Sequence, residues 1–235
     1  MTAPADRAAL PGQPGVDLPG LDQLRVILFD LDGTLMDTAP EIADAINDTL
    51  RRLGHPPVGE ALVRSWIGDG ARALLGKALR HAGASASAEA AAWPAFADDY
   101  EKRCGTRSLV HDGVRPLLAR LRLQGLKCGV LTNKEGAFAQ RLLALHGLAG
   151  DFDLMVAGDT LAVKKPDPAV VAHALALLRA EPGEALLVGD SVTDVRTARA
   201  AGVPVWLVRH GYPAGDLAGA DAPDGFIEHF DHFLP

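Results

Sequence analysis

Cysteine is scarce in this 235-residue sequence: Cys104 and Cys128 stand far apart and make no Cys-x-x-Cys pair. Two isolated thiols read as reduced side chains in a cytosolic protein rather than as a disulfide. Long hydrophobic runs are missing too. The longest apolar stretches, such as Ala185–Val188, fall far short of the roughly 20 residues that cross a bilayer, so no membrane association is expected. The N-terminus has no basic region followed by an apolar one, which argues against a signal peptide and makes the cytoplasm the expected location. Positive charge is in deficit, with 23 basic against 30 acidic residues and a net charge of −7. That balance speaks against nucleic acid, whose phosphates are bound by Lys and Arg. It leaves room for a small phosphorylated metabolite, because a bound cation reverses charge locally. There are no internal repeats. The eight histidines form no spaced ligand pair, and His229 and His232 read as tail surface.

What is present is ordinary globular composition, 48% hydrophobic and 23% charged, enough for a core plus a smaller appended unit. Residues 1–20, rich in Ala, Pro and Gly, read as a flexible leader. Five short runs, Arg25–Phe29, Lys127–Leu131, Leu154–Ala157, Ala185–Val188 and Val203–Val208, are nearly continuous in apolar residues. Such runs suit parallel strands covered on both faces. Helical spacing at Gly113–Gln124, Ala169–Leu178 and Asp194–Ala201 alternates with the later runs. The expected fold class is therefore α/β, a Rossmann-like doubly wound parallel sheet with right-handed crossovers.

One interval breaks the alternation. Met36–Thr106 reads almost wholly helical, through Glu41–Leu53, Glu60–Ala82 and Ala86–Cys104. We expect an inserted helical cap domain over 37–108, hinged near Met36–Asp37 and Ser108–His111, with the catalytic core over 21–36 and 109–235. Ligands of open sheets bind outside the carboxyl ends of the strands, so an insertion after the first strand would lie above that edge as a lid. Trp66 and Trp93 read as packing within it. Its exposed face is compatible with a monomer or a homodimer.

Chemistry gathers at the strand ends. The first strand runs into Asp30-Leu31-Asp32-Gly33-Thr34. Carboxylates this close repel unless a cation sits between them. Mg²⁺ suits the gap, since it takes carboxylates, water and phosphate oxygens. Gly33 permits a tight turn whose N–H groups can face an anion. The second strand ends in Thr132-Asn133-Lys134, where a hydroxyl and an amide can donate to phosphate. After the third strand, Pro166 and Pro168 flank Lys165, whose ammonium can balance both a carboxylate and a phosphoryl group. The fourth ends in Gly189-Asp190-Ser191-Val192-Thr193-Asp194. Asp194 would then lie in the first turn of a helix and face back toward Asp190. Any one of these could be a turn or a cap; four of them converge on one sheet edge.

In this order and spacing the motifs resemble those of the haloacid dehalogenase-like phosphohydrolase superfamily, over about residues 25–235. Within it, Trp66-Ile67-Gly68-Asp69-Gly70-Ala71, Thr132-Asn133-Lys134, Gly158-Asp159-Thr160-Leu161, Lys164–Pro168 and His210-Gly211-Tyr212 are similar to the phosphoglycolate phosphatase family, with Asp69 standing where those enzymes often carry Asn. The resemblance implies a Mg²⁺-dependent phosphatase of carbohydrate metabolism. Asp30 would be the nucleophile that becomes an aspartyl-phosphate, and Asp32 the acid and then the base. Asp30, the Asp32 carbonyl and Asp190 would hold Mg²⁺, with Asp194 a further ligand or the holder of a metal-bound water. Thr132 and Lys165 would hold phosphoryl oxygens, helped by N–H groups near Gly33 and Asn133. Gly68, Asp69, Gly70 and Arg72 would meet the substrate. The implied substrate is 2-phosphoglycolate. Alternatives are another sugar or amino-sugar phosphate such as N-acetylmuramate 6-phosphate, a phosphomutase reaction, or a non-catalytic phosphate-binding module. Asp32 argues against a dehalogenase, because the superfamily's dehalogenases lack this second acid.

Overall fold

The structure is a computed structural model that describes residues 23–85, 88–212 and 215–233; the expected leader at 1–20 lies outside them. From β1 (Val26–Phe29) the chain passes through β2 (Met36–Asp37) into four helices, α1 (Ala39–Arg52), α2 (Glu60–Arg64), α3 (Ala71–His81) and α4 (Ala88–Arg103), and returns through β3 (Leu109–Val110). Then follow α5 (Val114–Leu123), β4 (Lys127–Leu131), α6 (Gly136–Leu145), β5 (Leu154–Val156), α7 (Ala169–Leu178), β6 (Ala185–Gly189), α8 (Val192–Ala201), β7 (Val205–Val208) and β8 (Gly225–Ile227). Six strands form one sheet in the order β5-β4-β1-β6-β7-β8, and every neighbouring pair is parallel. The chain winds outward from β1 in both directions, which is the doubly wound arrangement expected from the sequence.

The continuous apolar runs have a simple cause. In β1, Ile27 and Phe29 join the cluster holding Leu117, Leu121 and Leu142 of α5 and α6. Val26 and Leu28 point the other way, into the cluster holding Val171, Leu175 and Val195 of α7 and α8. A strand alternates its side chains between faces, so a strand covered on both faces has no polar position.

The helical insertion leaves and rejoins the core side by side, because β2 and β3 pair antiparallel through Met36 with Val110 and Asp37 with Leu109. Its buried residues, among them Ile46, Leu75, Phe96 and Tyr100, belong to the same apolar cluster as Phe29 and Leu121. Each such side chain contributes roughly 1.5–3 kcal/mol by leaving water. The return crossing is pinned by Glu41 of α1, which is fully buried. Its Oε2 accepts N–H bonds from Gly105 (2.9 Å), Arg107 (3.1 Å) and Ser108 (2.9 Å).

Two expectations need correction, and one strand was not foreseen. Glu60–Ala82 is two helices, α2 and α3, because Gly68 and Gly70 between them adopt φ of +125° and +87°, outside the right-handed helical range. The last of the five expected strands begins at Val205 rather than Val203. The Val203 N–H instead closes the end of α8 on the Ala198 carbonyl at 2.9 Å, and Pro204 has no N–H to give a ladder. The edge strand β8 was not foreseen: it has three residues, Gly225-Phe226-Ile227, too short for a periodic signal. Trp66 and Trp93 pack partly buried against the main cluster. No helix among the described residues is long and apolar enough to cross a membrane.

Candidate active site

β1, β4 and β6 are adjacent in the sheet, so Asp30, Thr132 and Asp190, which immediately follow or end them, meet at one edge. The ladder carries Asp30 to its place: its N–H donates to the Val188 carbonyl at 2.9 Å. The loop after β5 brings in Lys165. Its Nζ donates to Asp30 Oδ1 at 2.6 Å and to Asp194 Oδ1 at 2.7 Å, and all three residues are buried. Asp194 also closes the start of α8, since its Oδ2 accepts from the Ser191 N–H (3.1 Å) and the Ser191 hydroxyl (2.7 Å). It is therefore both a cap and a partner of Lys165. Asp190 is held by the Tyr212 N–H, 2.7 Å from its Oδ2.

Asp30, Asp190 and Asp194 each present an oxygen within 4.8 Å of the others. Burial, opposed by Lys165 and reinforced by Asp194, lifts the Asp30 carboxyl to about 6. Burial and then the Asp194 and Asp30 charges push Asp190 well above the usual carboxylate range. Burial disfavours the Lys165 ammonium, yet Asp194 and Asp30 hold its pKa above the ordinary lysine value. Three buried carboxylates against one ammonium are short of positive charge. An all-oxygen donor set with that deficit fits a hard divalent cation. Gly33 makes this packing possible: at φ +91° it turns the chain beside Asp190, where any Cβ would collide with the carboxylate.

Asp32 faces the other way, into a narrow cavity of about 40 Å³ between the sheet edge and the insertion. The Thr38 hydroxyl donates to its Oδ1 at 2.6 Å, and Lys134 Nζ lies 2.9 and 3.1 Å from its two oxygens. Ile42, Ile67, Leu74, Phe96 and Tyr100 of the insertion make the apolar wall, and Asp30, Asp32, Thr132 and Asn133 line the sheet side.

The loop between α2 and α3 docks onto the core through Asn133, whose Nδ2 donates to the Gly68 carbonyl (2.9 Å) and the Lys165 carbonyl (3.0 Å). Both donors of the Asn133 amide are thus occupied by backbone, and it ties insertion, β4 and the Lys165 loop together. Gly68 and Gly70 line the cavity. The Asp69 carboxylate turns aside to Lys77 (2.8 Å) and the Thr193 hydroxyl (3.4 Å), while its carbonyl accepts from Lys164. Arg72 is not among the lining residues; its guanidinium lies 4.0 Å from the centroid of Trp93.

Two residues near the carboxylates were given no role from sequence. Lys134 is one, although it completes the Thr132-Asn133-Lys134 string, and its place at a strand end was the available signal. Tyr212 is the other. Its hydroxyl accepts from the N–H groups of Thr38 (2.7 Å) and Ala39 (3.0 Å) and donates to Asp37 Oδ1 (2.5 Å). It links the Asp190 loop to the start of the insertion.

Residues 24–202 match the family model described as haloacid dehalogenase-like hydrolase. A phosphoglycolate phosphatase of Yersinia pseudotuberculosis is 40% identical over 214 residues, 90% of this chain and 92% of the relative. A plasmid-encoded phosphoglycolate phosphatase of Cupriavidus necator is 44% identical over 200 residues, 83% and 87% of the two chains. A crystal structure of a predicted phosphoglycolate phosphatase from Haemophilus somnus superposes with a TM-score of 0.83 at 30% identity, covering 90% of this chain and 97% of the other.

Proposed function

The chain belongs to the haloacid dehalogenase-like hydrolases, and on that footing we propose that it hydrolyses 2-phosphoglycolate to glycolate and phosphate through an aspartyl-phosphate. It is a phosphoric monoester hydrolase, as its curated relatives are. The observation that carries the mechanism is the position of Asp30, buried against Lys165 and two further carboxylates at the floor of a cavity that also holds Asp32.

In this reading an Asp30 oxygen forms a bond to phosphorus while the ester P–O bond breaks. Phosphoryl transfer depends on positioning and charge neutralisation more than on a strong base, which suits a carboxylate. Asp32 gives its proton to the departing alkoxide and later takes one from the water that hydrolyses the aspartyl-phosphate. Lys165 fixes the Asp30 side chain by their 2.6 Å bond and adds positive charge beside the transferred group. Thr132, at the end of β4, offers its hydroxyl to a phosphoryl oxygen. Asp30, Asp190, Asp194 and the Asp32 carbonyl would hold a divalent cation, Mg²⁺ by the hardness of the donors, and it would supply the missing positive charge around the phosphoryl oxygens. The insertion closes the cavity from above, with Gly68 and Gly70 among the residues that line it.

Two measurements test this. Asp30→Asn is expected to abolish Mg²⁺-dependent phosphate release while leaving the circular dichroism spectrum unchanged; undiminished turnover would remove Asp30 from the mechanism. A kcat/KM panel of phosphoglycolate, sugar phosphates and N-acetylmuramate 6-phosphate is expected to place phosphoglycolate first, and any other order overturns the substrate.

A further inference from the structure

Resting on the reading of 2-phosphoglycolate as substrate, we propose that Lys134 is the specificity-determining residue, its ammonium binding the carboxylate of the departing glycolate. Among the described residues lining the cavity Lys134 is the one cation, and the other ionisable acids there are Asp30, Asp32 and Glu135. A cavity of that composition repels an anionic leaving group unless Lys134 receives it. Its side chain is 3% exposed, so the charge acts with little screening by water.

The placement fits the chemistry of the ester. Lys134 Nζ stands 2.9 and 3.1 Å from the carboxylate oxygens of Asp32, the group assigned to protonate the ester oxygen. In phosphoglycolate one methylene separates that oxygen from the carboxylate carbon. A cation hydrogen-bonded to Asp32 is therefore within reach of the substrate carboxylate when Asp32 reaches the ester oxygen. An ammonium has three donors. Two reach the Asp32 oxygens; the third has no oxygen partner among the described residues and lies beside the Tyr100 ring, whose centroid is 4.8 Å from Nζ, so it is the donor a ligand would take.

The other cations of this region are committed elsewhere. Lys77 pairs with the Asp69 carboxylate at 2.8 Å, Lys164 donates to the Asp69 carbonyl, and Arg72 lies on Trp93. Ile42, Ile67, Leu74 and Phe96 offer an anion nothing, and Gly68, Gly70 and Ala71, which also line the cavity, add no side-chain cation; a carboxylate left against the apolar part would be strongly disfavoured.

The test compares kcat/KM with Mg²⁺ for phosphoglycolate and for 2-hydroxyethyl phosphate, in which CH₂OH replaces the carboxylate. The wild-type enzyme is expected to prefer phosphoglycolate by about 100-fold or more. Lys134→Met is expected to bring that ratio to within about tenfold of one. Disturbance of Asp32 slows both substrates together and cancels in the ratio. Lys134→Arg, which keeps the cation, is expected to retain most of the preference even where its rate falls. A preference that survives in Lys134→Met overturns the proposal, as does a wild-type ratio near one. Circular dichroism melts establish that the variants fold. Should Lys134→Met not fold, Lys134→Gln, which keeps a polar stem and loses the charge, takes its place, with the same loss of preference expected and a surviving preference overturning the proposal. Failure of the substrate reading has a different signature: wild-type enzyme turning over another phosphate ester of the panel faster than phosphoglycolate.

Discussion

Lys165→Met should destabilise the metal-free protein in a pH-dependent way. Lys165 is the shared partner of Asp30 and Asp194, at 2.6 and 2.7 Å, and all three are buried. Removing one member of a buried ion pair costs about 3–5 kcal/mol when the remaining charge is kept. A carboxylate has a way out, which is to take up a proton. In the wild-type protein the Asp30 carboxyl is already raised from 3.8 to about 6 by burial, against the pull of Lys165. A folded-state pKa above the unfolded one means the folded protein binds the proton more tightly. The stability linked to Asp30 is therefore greatest below about pH 4 and declines as pH rises toward 6, by roughly 3 kcal/mol at 1.36 kcal/mol per unit. Without Lys165 the carboxyl rises further, and the decline continues to higher pH. Urea unfolding in EDTA should thus show a deficit for Lys165→Met relative to wild type of about 1 kcal/mol at pH 5 and about 3–5 kcal/mol at pH 8. Mg²⁺ should recover part of the loss at pH 8, because a ligand of the folded state stabilises it by mass action. A deficit of equal size at both pH values would refute the electrostatic reasoning and leave only lost packing of the lysine stem.

Asp32→Asn should lower kcat for phosphoglycolate by about 10²–10⁴ and lower it far less for p-nitrophenyl phosphate, whose leaving group needs no proton; equal losses would deny Asp32 the acid role. Tyr212→Phe removes a hydroxyl that serves two buried N–H groups and Asp37. It should cost about 1–3 kcal/mol in urea unfolding, whereas an unshifted midpoint would mean that water or Asp37 takes over. Burial, with His210 adding to it, holds His111 at about 4, below its unfolded value. Its contribution is present above about pH 6.5 and is lost as pH falls toward 4, about 1–2 kcal/mol after allowance for its partial exposure. Stability measured across that window should fall less steeply in His111→Gln, and an unchanged slope would show that other groups control it.

Much of the architecture was legible because it follows from local pattern. The runs around Ile27, Val130 and Leu187 are apolar at every position since two helical layers cover them, and a covered strand leaves that mark in any sequence. The carboxylates were legible for the same reason: an acid directly after such a run must emerge at the sheet edge. Lys134 was harder. Its ion pair joins residues 102 apart in sequence, and a lysine in a strand-end loop is usually solvated. Asn133 and Arg72 show the same limit. Asn133 lines the cavity, yet its side-chain amide spends both donors on the carbonyls of Gly68 and Lys165, and Arg72, read as meeting the substrate, lies on Trp93. The break between α2 and α3 was visible as Gly68 and Gly70, but helical spacing on both sides concealed it.

The sequence by itself determined five strands of the sheet, the helices that alternate with them, a largely helical stretch after β1 and the acids at the ends of β1 and β6, because backbone preference and one- or two-face burial act over a few residues at a time. Only the tertiary structure decided which of those groups touch. Lys165 reaches Asp30 across 135 positions, and Tyr212 reaches Thr38 across 174. Such contacts arise from sheet order and from the docking of the insertion. Their energies depend on distance and burial, neither of which a linear pattern contains.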